Sequence, residues 1–327
     1  MNIAILGAGG IANTMAKTIV GMNDNNISLY AVAARDGERA KKFAKEYGIE
    51  KFYGSYEEMV QDEQVDLVYI ATPHSHHYEH MKLCLNNGKH VLCEKAFTVN
   101  AKQAEEVIAL GKEKGLLVAE AIWTRYMPVK TMIRHMIDSN VIGDVHSIQA
   151  SLGYDLRKVE RLIRPELAGG ALLDIGVYPI NFAMMIFGEK LKSISSTAEM
   201  SEEGIDLMDS ITLRWQENKM AILHATMIAT SDRRGVIFGT EGYIGVDNIN
   251  NPKVIRVYNN QHEMMEEHTV PKQITGYEYE VTACYEAIQA GKTECADMTH
   301  EQIITVMRVM DTIRKQWNMT YPMEKEA

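Results

Sequence analysis

At 327 residues the chain is long enough for two cores, since a single core stops growing at roughly 250–300 residues; its 46% hydrophobic and 24% charged residues, with 7 Pro, leave little room for extended disorder. A formal net charge of −10, with no Lys/Arg block interleaved with aromatics, argues against nucleic acid as a partner. Cys84, Cys93, Cys284 and Cys295 lack CxxC spacing, which argues against a structural zinc or a redox dithiol, and no signal-like or membrane-length apolar run stands out, so a cytoplasmic enzyme is expected.

Over the first ~120 residues, short β-branched runs at Asn2–Leu6, Ser28–Ala34, Val65–Ala71, His90–Cys93 and Leu116–Ala119 alternate with helical segments beginning near Gly10, Asp36, Ser55, His74 and Asn100. Gly21, Gly48, Gly88 and Gly115 mark the helix ends. This rhythm predicts an α/β fold with an N-terminal Rossmann domain at 1–122. A helical passage at 124–140 leads into longer alternating runs at Ser147–Tyr154, Asp209–Gln216, Lys219–Ile228, Arg233–Gly239 and Val254–Tyr258. They predict a C-terminal α+β domain at 123–327 with a large, mainly antiparallel open sheet. Two final helices, near Gly276–Ala290 and Thr299–Gln316, can pack on that sheet or return to the first domain.

The segment Gly7-Ala8-Gly9-Gly10-Ile11-Ala12 supplies G-x-G-x-x-A between the first strand and the first helix. Gly7 permits the tight turn, Gly9 lets a pyrophosphate approach the backbone, and Ala12 allows close helix-to-strand packing. Free N–H groups at the helix start then face the phosphates, and a dinucleotide is the expected ligand. The second strand ends in Ala33-Ala34-Arg35-Asp36. A small residue followed by Arg35 suits the 2′-phosphate of NADP, with NAD the less favoured cofactor, because a guanidinium binds phosphate in a bidentate manner; Asp36 is read as the cap of the next helix.

Ligands of such sheets bind at the carboxyl ends of the strands, which singles out Thr72-Pro73-His74, Glu94-Lys95 and Glu120 beside the Gly7 loop. A lysine at the mouth of the crevice, Lys95, can hold a substrate hydroxyl and favour its deprotonation. His74, His76, His77 and His80 form a cluster with His76 and His80 on one helix face, but no cysteine or carboxylate completes a metal set, so no metal is expected.

Taken in order, Gly7-x-Gly9-x-x-Ala12, Ala71-Thr72-Pro73 with His77, Gly88-Lys89-His90-Val91-Leu92-Cys93-Glu94-Lys95, Gly169-Gly170-Ala171-Leu172-Leu173-Asp174-Ile175-Gly176-Val177-Tyr178 and Tyr277-x-x-Glu280 resemble the glucose-fructose oxidoreductase and inositol dehydrogenase family (Gfo/Idh/MocA). The stretches around Arg35, Lys95, Glu120–Tyr126 and Tyr178 are most similar to its dimeric dihydrodiol dehydrogenase branch. That resemblance implies NADP as cofactor, trans-dihydrodiols or aldoses as substrates, and a homodimer or higher homo-oligomer through the open sheet. It also implies Lys95 and Tyr178 as catalytic pair with Asp174 close by, His77 near the dinucleotide, and substrate contacts from Trp123 and Arg125. Two departures are Ala96, where the family usually has Pro, and His74, where it commonly has Asn.

The chemistry is consistent with that pair. Oxidising a carbinol needs a base, and a tyrosine of pKa about 10 needs a neighbouring cation to serve near neutrality. Tyr178 is therefore read as general acid/base, Lys95 as its electrostatic partner, and Asp174 as the group orienting substrate or Lys95. Trp123, Arg125 and Tyr154 complete a pocket for a polyhydroxylated ring or an arene diol. Two other readings stay open: a lyase, epimerase or glycosidase-like enzyme on a tightly held dinucleotide, and a non-catalytic NADP-binding sensor.

Overall fold

A computed structural model describes residues 1–325. The chain forms two compact units, one from Met1–Tyr126 with Gln273–Ile304, the other from Met127–Lys272 with the segment that begins at Thr305. The sequence boundary expected near residue 122 is thus crossed again: a second segment of chain returns to the first unit.

The first unit is built on six parallel strands, β1 (Asn2–Leu6), β2 (Ser28–Ala33), β3 (Lys51–Tyr53), β4 (Leu67–Ile70), β5 (His90–Glu94) and β6 (Val118–Ala121), in the order β3-β2-β1-β4-β5-β6. β4 is buried throughout, and β1 is buried from Ile3 onward, because helices cover both faces; this is why they read as unbroken apolar runs. The strand order reverses between β1 and β4, which opens a crevice at their carboxyl ends. The connecting helices are α1 (Gly10–Met22), α2 (Gly37–Tyr47), α3 (Tyr56–Gln61), α4 (His77–Asn86) and α5 (Ala101–Lys114).

Two expectations are corrected here. Gly21 does not end α1; the helix runs one residue further, and Asn23 caps it in the left-handed conformation that asparagine tolerates. The last strand begins at Val118 rather than Leu116, so Glu120 lies inside β6, opposite Cys93, instead of beyond its end. From the returning segment, α8 (Glu278–Gln289) and the start of α9 (His300–Gln316) complete the unit. The amide of Val118 donates to the carbonyl of Thr293 at 3.0 Å, and His300 Nε2 lies 3.0 Å from the Val118 carbonyl oxygen.

The second unit carries α6 (Pro128–Asp138), α7 (Val177–Phe187) and eight strands: β7 (Val145–Gly153), β8 (Leu191–Met200), β9 (Asp206–Trp215), β10 (Met220–Thr226), β11 (Gly235–Gly239), β12 (Gly242–Val246), β13 (Val254–Asn259) and β14 (Met264–Thr269). Their order is β14-β13-β12-β11-β7-β10-β9-β8. All pairs are antiparallel except β7 with β10. One face buries Ile148, Leu152, Ile211, Leu213, Leu223, Ile237 and Ile244. The opposite face leaves Ile222 exposed and Phe238, Tyr243 and Tyr258 partly so, with Tyr243 stacked on Tyr258 at 4.7 Å.

Contrary to the expectation of no membrane-length apolar run, the helical stretch Pro165–Phe187 is long and apolar enough to cross a membrane, with a mean hydropathy of 1.5; 89% of its most apolar window is buried inside the fold. It is a core helix.

Candidate active site

In the first unit the loop after β1 has the geometry a dinucleotide needs. Gly7 has φ +107°, a conformation strained for any side chain, and a Cβ there would lie 2.8 Å from the carbonyl oxygen of Ala71. Gly9 and Gly10 differ: a Cβ on either would meet no protein atom within 4 Å, so they leave an open cradle in front of α1. No side chain caps that helix, and no acidic residue lies in its first turn. Its first N–H groups and positive dipole end, from Gly10, Ile11 and Ala12, suit a pyrophosphate. Ala12 is fully buried, as close packing of α1 requires.

At the end of β2, Ala34 is buried and Arg35 exposed. Asp36 caps α2, accepting from the amides of Glu38 at 3.0 Å and Arg39 at 3.3 Å, as its position in the sequence led one to expect. Sequence reasoning missed Arg39, whose guanidinium donates twice to the Ala8 carbonyl, at 3.0 and 2.7 Å. Its signal was present, four residues after Arg35. The positive field of Arg35 reaches His76 and His80: burial, then Arg35, lowers the pKa of His76, while burial, then His76, His77 and Arg35, brings His80 down to about 4. His76 and His80 do share a face, their rings 5.7 Å apart, and Tyr56 meets His80 edge-on at 4.9 Å.

Thr72 and Pro73 follow β4. The hydroxyl of Thr72 lies 3.0 Å from Nδ1 of His80. His77 has no exposed surface and joins two strand ends, with Nε2 2.9 Å from the Thr72 carbonyl and Nδ1 2.9 Å from the Ala96 carbonyl. His74, also buried, meets His77 edge-on at 5.7 Å. Among the described residues no three His, Cys, Asp or Glu side chains converge as metal ligands.

Lys95 follows Glu94 at the end of β5, and the Lys95–Ala96 peptide is cis. Beneath this turn lies a group of buried acids. Glu94 accepts the Tyr69 hydroxyl, and Glu120 accepts the Phe97 amide at 3.2 Å. Burial pushes the Glu120 carboxyl up to about 8, against the pull of that amide, Arg125 and Lys95. Glu280, from α8, is fully enclosed, neither of its oxygens has a hydrogen-bond partner, and burial, with the nearby Glu94, raises it too.

Trp123 stacks on Tyr277 at 4.3 Å with an interplanar angle of 8°, giving a flat aromatic pair. Arg125 is among the largest fully buried side chains, so it is neither a surface arginine nor open to solvent, and its charge acts on Glu120.

In the second unit, Asp174 lies in a five-residue π turn, Leu172–Gly176, that runs into α7, where Tyr178 is the second residue. Pro179, the third residue of α7, follows directly on the π turn, where the regular i→i−4 hydrogen-bond ladder is already broken. Asp174 and Tyr178 are both buried, and Arg161 donates to Asp174 at 3.0 Å. Arg161 thus forms an ion pair with Asp174, a contact that the sequence did not make legible. Tyr154 accepts from Asn250 at 3.2 Å, with the Arg233 guanidinium 5.4 Å over its ring.

Comparison with known proteins identifies the family. Residues 1–121 match the model of an oxidoreductase family with an NAD-binding Rossmann fold, and residues 131–245 match the GFO/IDH/MocA C-terminal domain. The chain is 35% identical to trans-1,2-dihydrobenzene-1,2-diol dehydrogenase of Xenopus tropicalis, covering 97% of this chain and 98% of the relative. It is 31% identical to the human protein of that name, covering 98% of each. In fold it is similar to a 3-ketoreductase from Actinomadura kijaniata solved with NADP and TDP-benzene, with a TM-score of 0.88, 24% identity and coverage of 96% and 97%. An aldose-aldose oxidoreductase from Caulobacter crescentus gives a TM-score of 0.85 at 22% identity, covering 96% of each chain. With a nicotinamide-dinucleotide cradle in its first unit and relatives of this kind along its whole length, the chain belongs to the GFO/IDH/MocA family of oxidoreductases.

Proposed function

We propose that the protein is an NADP(H)-dependent dehydrogenase of a trans-dihydrodiol, sugar or polyol. The observation that carries this reading is the near-full-length similarity to trans-dihydrodiol dehydrogenases, at 30–35% identity. When bound, the dinucleotide supplies the hydride acceptor. Tyr178 takes the hydroxyl proton, Lys95 favours the phenolate it needs, and Asp174, held by Arg161, orients the substrate hydroxyls. Trp123, Arg125 and Tyr154 shape the substrate pocket. The Gly7–Ala12 loop binds the pyrophosphate, and Thr72, Pro73, His74, His77 and Glu94 line and brace the nicotinamide side.

NADP is favoured over NAD because the exposed Arg35, with the Arg39 guanidinium four residues on, gathers positive charge where a 2′-phosphate would lie. Losing a charge-assisted hydrogen bond costs about 1.5–3 kcal/mol. Arg35→Leu should therefore raise the NADPH Kd by about 10–100-fold in a fluorescence titration while the NADH Kd stays within about twofold. An equal loss for both nucleotides would remove the 2′-phosphate assignment. The same titration followed by a panel of diols, aldoses and inositols tests the activity itself. Cofactor retained through purification would instead favour the tightly bound readings.

We also propose a homodimer through the uncovered sheet face, since the exposed Ile222 and the Tyr243–Tyr258 stack form an apolar surface suited to a second copy. Ile222→Glu should shift the sedimenting species to a monomer. A monomeric parent protein at micromolar concentration would rule the dimer out. The four thiols are free, two of them 3.9 Å apart, in keeping with a reducing cytoplasm.

A further inference from the structure

The π turn that carries Asp174 rests on two carboxyl groups that nothing above has used. Asp206 and Asp209 both belong to β9 and are buried. Three positions apart on a regular strand they would face opposite ways. The pairing of β9 with β8 is irregular here, Met200 opposing Asp206 and Glu199 opposing Met208, so that Leu207 is an extra residue. This bulge resets the alternation and turns both acids inward.

Each acid seats one end of the turn. Asp206 Oδ2 accepts the Leu172 amide at 2.5 Å, and its Oδ1 lies 2.1 Å from where a Cβ on Gly170 would be; Gly170 itself has φ +114°. Only glycine fits against that carboxylate. Asp209 Oδ1 accepts the Ala225 amide at 3.0 Å, while Oδ2 is enclosed with no hydrogen-bond partner, 3.3 Å from where a Cβ on Gly176 would be. Gly170 and Gly176 bracket Asp174, and Tyr178 follows two residues later.

The surrounding charge is insufficient to neutralise two carboxylates. Arg314, on α9, is the cation that acts on Asp206, and it is already held by Glu324 at 2.6 and 3.0 Å and by Asp311 at 2.9 Å. Tyr321, which also faces Asp206, spends its hydroxyl on the Gly169 carbonyl at 2.7 Å. On β10, His224 Nδ1 lies 2.6 Å from the backbone carbonyl of Asp209, not its carboxyl, and Arg161 is engaged by Asp174. Two like charges in one enclosed space do not both ionise readily.

We propose that Asp206 and Asp209 are positioning residues for the reaction, Asp206 ionised and Asp209 protonated, and that this one-proton pair holds the 170–176 turn so that Asp174 and Tyr178 keep their working geometry. Each carboxyl accepts one amide and keeps one enclosed oxygen without a hydrogen-bond partner, and the titration order follows from the Asp206 charge acting on Asp209. Burial brings Asp206 up to about 7, opposed by the Leu172 amide, whereas burial and the Asp206 charge lift Asp209 well above the usual range. Loss of the second proton puts two charges under the turn and loosens it.

This inference rests on the dehydrogenase reading for its kinetic arm, and a second arm is independent of turnover. In the pH profile, the unmodified enzyme should lose kcat on the alkaline side, and Asp209→Asn, fixed in the neutral form, should carry its plateau higher by about one pH unit or more. Asp206→Asn should lower kcat by about 10–100-fold, the loss of a charge-assisted hydrogen bond, with the NADPH Kd unchanged. Amide hydrogen exchange over 170–178, corrected for intrinsic rates, should accelerate with pH in the unmodified protein and not in Asp209→Asn. Matching exchange and alkaline limbs in the two proteins would overturn the proposal, as would an Asp206→Asn variant with full kcat. If the unmodified protein turns over no diol, sugar or polyol, the dehydrogenase reading fails, and the exchange comparison still decides the pair.

Discussion

Replacing Tyr178 by phenylalanine should lower kcat by about 10²–10⁴-fold, the range expected when a general acid/base is removed. The substitution deletes one oxygen from a buried side chain in the first turn of α7 and leaves its ring in place, so the fold should be retained. The dinucleotide cradle belongs to the first unit and Tyr178 to the second, so the NADPH Kd should stay within about twofold. Stopped-flow single-turnover measurement with saturating NADPH or NADP separates the chemical step from binding. A Phe variant with unchanged kcat would remove Tyr178 from the reaction, and one that cannot bind NADPH would assign it a structural role.

Gly7→Ala should weaken cofactor binding sharply. Two costs coincide at this position: φ of +107°, which an L side chain adopts only with strain of about 1–3 kcal/mol, and a Cβ at 2.8 Å from the backbone oxygen of Ala71, just after β4. The combined cost of roughly 2–4 kcal/mol falls on the turn that presents the α1 amides, and should weaken NADPH binding by about 30-fold or more, measured by titration calorimetry. The contrast with Gly9 sharpens the test. A Cβ there meets no protein atom, so Gly9→Ala should leave thermal stability nearly unchanged and weaken only the nucleotide. If Gly7→Ala bound NADPH as the parent does, the loop would not be the pyrophosphate site.

What the sequence made legible was mostly local. The Gly7–Ala12 spacing, the cap at Asp36 and the apolar runs of β1 and β4 each depend on a few neighbouring residues, and the structure has all of them. The strands that escaped notice were β3, β8, β12 and β14: β3 is three residues long, β12 is short and interrupted by Gly245, and β8 and β14, the two edges of the large sheet, have no fully buried residue to impose alternation. The mainly antiparallel character of the sheet was legible, but the parallel pairing of β7 with β10 was not, because periodicity carries no strand direction. At the candidate site, Arg35 and Asp174 could be named from motifs, but Arg39, Arg161, Asp206 and Asp209 could not. Their roles come from tertiary contacts: a guanidinium folding back on Ala8, a loop arginine reaching Asp174, and a bulge that reverses the expected facing of an aspartate. The π turn is likewise invisible to a 3.6-residue pattern.

The return of Gln273–Ile304 to the first unit has a bearing on how the protein is made. β6, the edge strand, pairs with β5 on one side and also donates a backbone hydrogen bond to Thr293, and Trp123 finds its stacking partner in Tyr277. A nascent chain that has emerged only as far as Tyr126 therefore holds six strands and an unfinished core. The missing piece is 146 residues further along, counting from Met127 to Lys272. At roughly 5–20 residues per second, synthesis of that stretch takes on the order of 7–30 s, during which the nucleotide-binding half waits with its last strand incompletely covered. The unit translated second has most of its own sheet in hand before the first is closed.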